Sequence, residues 1–383
     1  MTKRMKETLR MLSFSLMVVS MGAMACQSTH GSMEEVRNTS IAHLADSYGD
    51  KRSFLDVYTE IRQIPLANDT GFTLSALPWF SARNEQGDFI VLDNFGVRQI
   101  LVFDSEGRSK AKIGSLGTNA DQYLYPDNLY YSDQTRRYYV YDGDLLRIQE
   151  YNDDFTFNSN IDLPLYLGQM IVTADDRFFC YTSGVASRKG ADRVVYECTR
   201  SGDIKNSFAD QYEEFSTAGE SRGGGIVLLG SHLYVITPYE YELRKYDLGG
   251  KLIRTVRGRS SHYVPPPTDF DEREISSDLR KRQAYHATWS HIRQLLKIGD
   301  EMIGVVLAEP NERRVFLDLY DTDLNYVTGD LQLPEHIGGG SQGIVSRGDR
   351  LYLLRSEEPV VLSRDVKNLP NPTVVVYELK NPG

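Results

Sequence analysis

The chain holds little that could bind a transition metal. Three cysteines (Cys26, Cys180 and Cys198) and seven histidines are spread over 383 residues. No H-E-x-x-H run and no cysteine pair at zinc spacing occurs. The closest histidines beyond the N-terminal segment, His286 and His291, are five apart, which on a strand puts them on opposite sides. Positive charge is scarce as well. Lys and Arg number 43 against 53 Asp and Glu, a net of −10. Residues 1–25 contain four of the cations and one acid, so the remainder carries 39 against 52, a net of −13. A surface this acidic repels a phosphate backbone, and no concentrated basic patch interrupts it, which argues against a nucleic-acid partner. Beyond residue 25 no run is long and apolar enough to span a bilayer.

What is present suits an all-β protein: 40% hydrophobic residues, with 24 Tyr and 15 Phe. An aromatic residue followed by Asp or Asn ends one apolar run and opens a turn at Phe103-Asp104, Tyr151-Asn152, Tyr246-Asp247 and Tyr320-Asp321. Cys198-Thr199 fills the same place between the second and third. The spacings are 48, 47, 48 and 74 residues. Four-stranded propeller blades repeat at about 40–50 residues. Each period divides alike, as in strands over 88–93, 98–103 and 109–113 around the turn Asp104-Ser105-Glu106-Gly107. Asp suits such a turn because it bonds its own backbone, and Gly because it accepts positive φ.

A second marker keeps the same phase. Ile64-Pro65-Leu66, Leu163-Pro164-Leu165 and Leu333-Pro334-Glu335 each follow an outer-strand run, where proline stops a strand from extending its ladder. The two gaps are 99 and 170 residues, the second matching the 169 between Tyr151 and Tyr320. A strand near 57–64 precedes the first complete blade, and one near 373–378 ends the chain with no outer strand after it. The simplest closure is a six-bladed β-propeller over residues 53–380, in which the N-terminal strand completes the last blade. Seven short blades and two unrelated β domains are the competing arrangements.

The N-terminus reads as an address. Lys3, Arg4, Lys6 and Arg10 precede an apolar stretch over 11–25, too short for a spanning helix and of secretory length. It ends in Ala23-Met24-Ala25-Cys26, similar to a bacterial lipobox with Ala23 in place of the usual Leu. A lipoprotein signal peptide over 1–25 with lipidation at Cys26 is therefore expected; an ordinary signal peptide cut near Ala25 is the alternative. Several acyl chains on one cysteine anchor a soluble domain, since each buried CH₂ contributes about 0.8 kcal/mol. Residues 26–52 are polar and read as a flexible tether.

The stretches Ile100-Leu101-Val102-Phe103-Asp104-Ser105-Glu106-Gly107 and Ile113-Gly114-Ser115-Leu116-Gly117, with Tyr123 to Pro126, Tyr138 to Asp142 and Arg147 to Tyr151, carry a family resemblance. The chain resembles the TolB-like, NHL-like six-bladed propeller lipoproteins of Gram-negative bacteria over residues 54–380. Asn119-Ala120-Asp121-Gln122 stands where those proteins usually have a Gly-Pro-Gly-Glu-like turn. The resemblance implies the fold and a cell-envelope location; with Cys26 as lipidation site, anchoring by lipid alone on the periplasmic or cell-surface side is expected. It supplies no catalytic residue.

In a propeller, the outer-to-inner and second-to-third strand connections open on one face. Two are long here, residues 258–287 and 356–372, beside blades five and six. Insertions gathered on one face commonly mark the binding side. His262, Tyr263, Tyr285, His286 and Trp289, with His336, are the candidate ligand-binding residues of that face, able to stack on a sugar or hold a peptide, or else to pack the loop down. Gly339-Gly340-Ser341-Gln342-Gly343 matches G-x-S-x-G, but a strand run follows it where a nucleophile elbow needs a helix. Glycines at 168, 223–225 and 338–340 precede inner strands, where crowding at the axis favours small residues; an anion-binding backbone nest is the alternative. Cys180 and Cys198 lie in neighbouring strands, with a hairpin centre at 189 placing them opposite each other; a disulfide and two unlinked buried thiols both fit.

The expected function is binding of an envelope protein, peptide or glycan without catalysis. The alternative is a lactonase-type hydrolase with a metal site in the central channel. No cofactor is expected; Ca²⁺ would need Glu, Asn and Asp converging from different blades. Substituting Cys26→Ser should move the protein from the membrane to the soluble fraction, and continued membrane retention on fractionation would count against lipidation.

Overall fold

A computed structural model of the protein describes residues 53–380, except 75–78, 94–97, 183–191, 212–222, 268–277, 313, 335–342 and 356–370. A one-turn helix, α1 (Phe54–Val57), leads into β1 (Tyr58–Pro65). Blade 1 is β2 (Trp79–Arg83), β3 (Phe89–Asp93), β4 (Gln99–Phe103) and β5 (Ser109–Ile113). A short parallel pairing, β6 (Ser115–Leu116) with β7 (Gln122–Tyr123), spans the link to blade 2. Blade 2 is β8 (Pro126–Ser132), β9 (Arg137–Asp142), β10 (Arg147–Asn152) and β11 (Phe157–Asp162). Blade 3 is β12 (Gln169–Val172), β13 (Phe178–Tyr181), β14 (Arg193–Cys198) and β15 (Ile204–Asp210). Blade 4 is β16 (Gly225–Leu229), β17 (His232–Ile236), β18 (Glu242–Asp247) and β19 (Leu252–Arg257). An eight-residue helix, α2 (Leu279–His286), lies between blades 4 and 5. Blade 5 is β20 (His291–Ile298), β21 (Met302–Ala308), β22 (Val315–Asp321) and β23 (Tyr326–Gln332). Blade 6 takes β24 (Ile344–Arg347), β25 (Arg350–Arg355) and β26 (Thr373–Leu379) from the C-terminus, and β1 pairs outside β26 as its fourth strand.

The protein is therefore an all-β, six-bladed propeller whose last blade is completed by the N-terminal strand. The β1–β26 ladder runs antiparallel from Tyr58 opposite Leu379 to Pro65 opposite Thr373, with one irregularity between Glu60 and Arg62. Most β1 side chains are exposed, but Tyr58 and Ile64 are buried. Phe54 stacks on Tyr58 with ring centroids 4.8 Å apart and meets the edge of Tyr377 at 5.1 Å. The core is divided among the gaps between blades. Middle strands are buried on both sides because each sheet packs against two neighbours, and β3, β21 and β22 are buried at every position. Outer strands lie at the rim, so five of the six β19 residues are exposed and the sixth is half-buried.

The recurring aromatic phrase is one turn built five times, between the third and fourth strands of blades 1 to 5. At Asp104, Asn152, Thr199, Asp247 and Asp321 the backbone N–H donates to the carbonyl four residues on. That same residue's carbonyl accepts from the N–H three residues on. The bulge in the strand pairing falls at the preceding aromatic or cysteine each time. The Asp oxygen explains the sequence choice: Asp104 Oδ1 accepts from the N–H of Glu106 at 2.9 Å and of Arg108 at 3.0 Å, and Asp247 and Asp321 repeat the pattern.

The fourth turn residue has positive φ in all five: Gly107, Phe155, Gly202, Gly250 and Leu324. At Gly107 a Cβ would fall on the carbonyl oxygen of Pro65, at the end of β1. The two non-glycines instead insert their side chains between blades. Leu324 is buried in the core of blades 4 and 5, and Phe155 packs 5.4 Å from the Tyr138 ring. Burial there offsets the backbone strain of about 1–3 kcal/mol.

Two measurements check this account. Residues 54–66 include five buried apolar side chains, Phe54, Val57, Tyr58, Ile64 and Leu66. Their loss removes about 10 kcal/mol of burial, comparable with the whole stability of a domain. Deleting 54–66 should therefore abolish the cooperative melting transition; an unchanged transition would refute closure by β1. Gly230→Ala, with φ 59° and open space around it, should cost about 1 kcal/mol, whereas Gly107→Ala should cost clearly more in denaturant titrations.

Candidate functional site

The long connection between β19 and β20 gathers the residues expected on that face, burying Tyr285 and Trp289 and leaving His262, Tyr263 and His286 half-buried. Asp278 caps α2, accepting from the N–H of Arg280 at 2.7 Å and of Lys281 at 3.4 Å. The helix ends at His286, so His286 and His291 do not share a strand; His291 Nε2–H donates to the His286 carbonyl at 2.9 Å. Trp289 has no exposed surface and lies 3.9 Å, ring to ring, from His291. Tyr285 is buried, and its hydroxyl donates to the Pro267 carbonyl at 3.3 Å. His262 stacks on Phe316 with centroids 3.8 Å apart and planes 8° apart. Tyr263 packs on Tyr241 at 5.5 Å and donates to the Tyr239 carbonyl at 2.9 Å. Ser290 ties the strands of the loop together, donating to the His262 carbonyl at 3.0 Å and accepting from Val264 N–H at 2.9 Å. Five of the six expected residues thus form one packed cluster. His336 and most of the G-x-S-x-G run lie outside the described residues, as does nearly all of the 356–372 connection.

A buried acid underlies this loop. Asp318 is fully buried, accepts from Asp330 N–H at 2.7 Å and from the Tyr241 hydroxyl, and Tyr320 donates to Tyr241 at 3.2 Å. Asp330 accepts from Ser260 Oγ and Ser261 Oγ, both at 2.6 Å, which pins the start of the loop to blade 5. Burial raises the Asp318 carboxyl to about 6, against the opposing pull of its hydrogen bonds.

Two other expectations meet the structure here. Cys180 pairs with Tyr196 and Cys198 with Phe178, so the hairpin centre is one residue earlier than 189 and the cysteines are diagonal rather than opposite. Both are buried free thiols, and Cys180 is pushed up by its hydrogen bond to Cys198 and by burial. The crowding expected of the glycines before inner strands is plain at Gly224, where φ is 73° and the N–H donates to the Ile292 carbonyl at 2.7 Å. A Cβ there would strike the Tyr181 hydroxyl and the Ile236 carbonyl.

The opposite mouth of the channel, formed by the turns from first to second strands, holds a cavity of about 730 Å³. Blades 5, 6, 1 and 2 line it, with Lys297, Arg347, Arg83 and Tyr130 among the contributors. Its charged groups are mostly paired: Arg347 with Asp133, Lys297 with Asp300 and Arg350 with Glu378, each at 2.8 Å. Sequence reasoning passed over these residues. Their signal is position, since charged residues recur at or just after the ends of inner-strand runs, at Arg83, Asp133, Asp300 and Asp349. Among the described residues no group of three or more His, Cys, Asp or Glu is placed to hold a metal ion.

Fold and geometry define the class: a six-bladed β-propeller closed by its own N-terminal strand. Over residues 33–259 the sequence matches the model of the DUF5128 family, described as a 6-bladed beta-propeller, and the chain belongs to that family. It is similar in fold to the crystal structure of a suspected exported protein from Bacteroides fragilis, at 13% identity and a TM-score of 0.59, covering 85% of this chain and 96% of that one. It is likewise similar to a member of the DUF4221 family from Bacteroides vulgatus, at 12% identity and a TM-score of 0.60, covering 85% and 98%. At such identities the likeness concerns the fold alone. No curated protein matches the chain.

Asp318 yields a signed prediction. A carboxyl raised on folding favours the protonated folded state, so its stability contribution is present below about pH 4 and lost as pH rises through 6. Raising the carboxyl from its ordinary value to about 6 corresponds to about 3 kcal/mol. The stability of Asp318→Asn relative to wild type should therefore rise by about 3 kcal/mol between pH 4 and 7.5 in denaturant titrations. A difference independent of pH would contradict the raised carboxyl.

Proposed function

We propose that this protein is an exported, lipid-anchored propeller of the cell envelope that binds a peptide or glycan at the channel mouth lined by blades 5, 6, 1 and 2, without catalysing a reaction. The observation that carries the reading is the cavity of about 730 Å³ with a paired, charged lining. Each carboxylate of the pairs with Arg347, Lys297 and Arg350 is engaged by its own cation. They are thus committed as a polar binding surface rather than converged on one point, as a channel metal would require. Of the long-loop aromatics, Trp289 and Tyr285 are buried in packing, while His262, Tyr263 and His286 are half-buried.

The envelope location draws support from three sides. The segment before Cys26 has the charge and length of a secretory signal. The chain resembles TolB-like and NHL-like lipoproteins. A similar fold occurs in a suspected exported protein of Bacteroides fragilis. No helix among the described residues is long and apolar enough to cross a membrane.

The test is binding of the mature protein to an immobilised panel of envelope glycans and peptides. Ser346→Trp, which fills the mouth, should abolish binding, and deletion of residues 264–284 should preserve it. The reverse pattern would move the site to the long-loop face, and no binding at all would contradict the proposal.

A further inference from the structure

We infer that Arg83 anchors a carboxylate group of the ligand in this mouth, a reading that rests on the mouth being the binding site. Four cations line the cavity: Arg83, Lys297, Arg347 and Arg350. Three have carboxylate partners at 2.8 Å. Among the described residues the Arg83 side chain has neither an ion-pair nor a hydrogen-bond partner, and its Nε is buried without one. The nearest candidate, Asp88 in the turn that follows, is taken by Lys110 at 2.6 Å and Asn84 at 2.9 Å.

Packing holds the guanidinium in place without neutralising it. Its carbon lies 4.5 Å from the centroid of the Tyr352 ring and 5.5 Å from that of Phe89. Aromatic faces attract a cation but leave its N–H edges free to donate. Arg347 is fixed alongside, donating to the Arg83 carbonyl at 2.9 Å. Burial pulls Arg83 below its ordinary range; Tyr352 and Asp88 oppose that shift, and Arg347 and Arg350 add to it by repulsion. A half-buried cation with no anion is a costly arrangement in a free-standing fold, and an incoming anion relieves it.

The surroundings favour a carboxylate over a phosphate. Asp133, Asp300, Asp349 and Glu378 also line the mouth and would repel a dianion. Asp349 is exposed, and it is not among the groups whose charges act on Arg83, which are Tyr352, Arg347, Arg350 and Asp88. A planar monoanion fits a single guanidinium fork with two parallel hydrogen bonds. Such a group is offered by a uronic acid of a glycan or by the free C-terminus of a peptide.

Calorimetric titration of the mature protein with D-galacturonate and with N-acetyl-glycyl-glycine distinguishes these two sources, with methyl galactoside and inorganic phosphate as controls. At least one carboxylate probe should bind saturably. Its affinity should fall at least tenfold in Arg83→Gln, and Arg83→Lys should recover only part of the loss. Arg83→Met should melt, without ligand, at or above the wild-type temperature, because it removes an uncompensated cation. The inference is overturned if neither carboxylate probe binds, if Arg83→Gln leaves binding unchanged, or if Arg83→Met melts lower, which would make the stacked cation structural. Binding of methyl galactoside or phosphate alone, lost in Ser346→Trp, would overturn the carboxylate and leave the mouth as the site. Failure of every probe would count against both.

Discussion

A ring of blades has two ends, and in this protein the hydrogen bonds between β1 and β26 join them. Without that ladder, blade 6 would keep three strands, and the core between blades 6 and 1 would lose Ile64 and Leu66. Each blade relies on a neighbour on each face, so an open ring would expose the two faces of the core between blades 6 and 1 to water. The contacts around Gly107 show how closure and repeat interlock. The first blade's turn closes over Pro65 at the end of β1, and Ala67 N–H donates to the Gly107 carbonyl at 2.7 Å. The terminal strand is thus held both by its ladder and by the turn of the next blade.

Most of this was legible in the sequence because the repeat is local. An aromatic followed by Asp or Asn reports a bulge and a turn whose bonds lie within five residues, so each copy carries its own signal. Closure was legible from an odd count: one outer strand too many at the start and one too few at the end. Less visible were features set by distant contacts. The pairing of β13 with β14 is centred one residue before the midpoint at 189, and one residue of centre moves a cross-strand partner by two. The α2 helix carries no apolar face, so no 3.6-residue period announces it.

The functional reading shows the same division. Irregular spacing drew attention to the long loop, and aromatic content made it look like a binding surface. In the fold those aromatics meet one another and the blades beneath, and Asp330 and Ser290 fasten the loop down. The polar mouth on the opposite face is assembled from residues near positions 83, 133, 297 and 347, from four different blades. No spacing rule links such positions until the ring is closed. That is why a charged residue as consequential as Arg83 reads, in one dimension, as an ordinary turn arginine.

Amide hydrogen exchange along β1 tests the central claim most directly. If β1 closes the ring, those of its amides that bond to β26 exchange only through global unfolding, with protection matching the interior strand β25. Rapid exchange across residues 58–65, while β25 remains protected, would show a ring that stands without its N-terminal strand and would contradict the account.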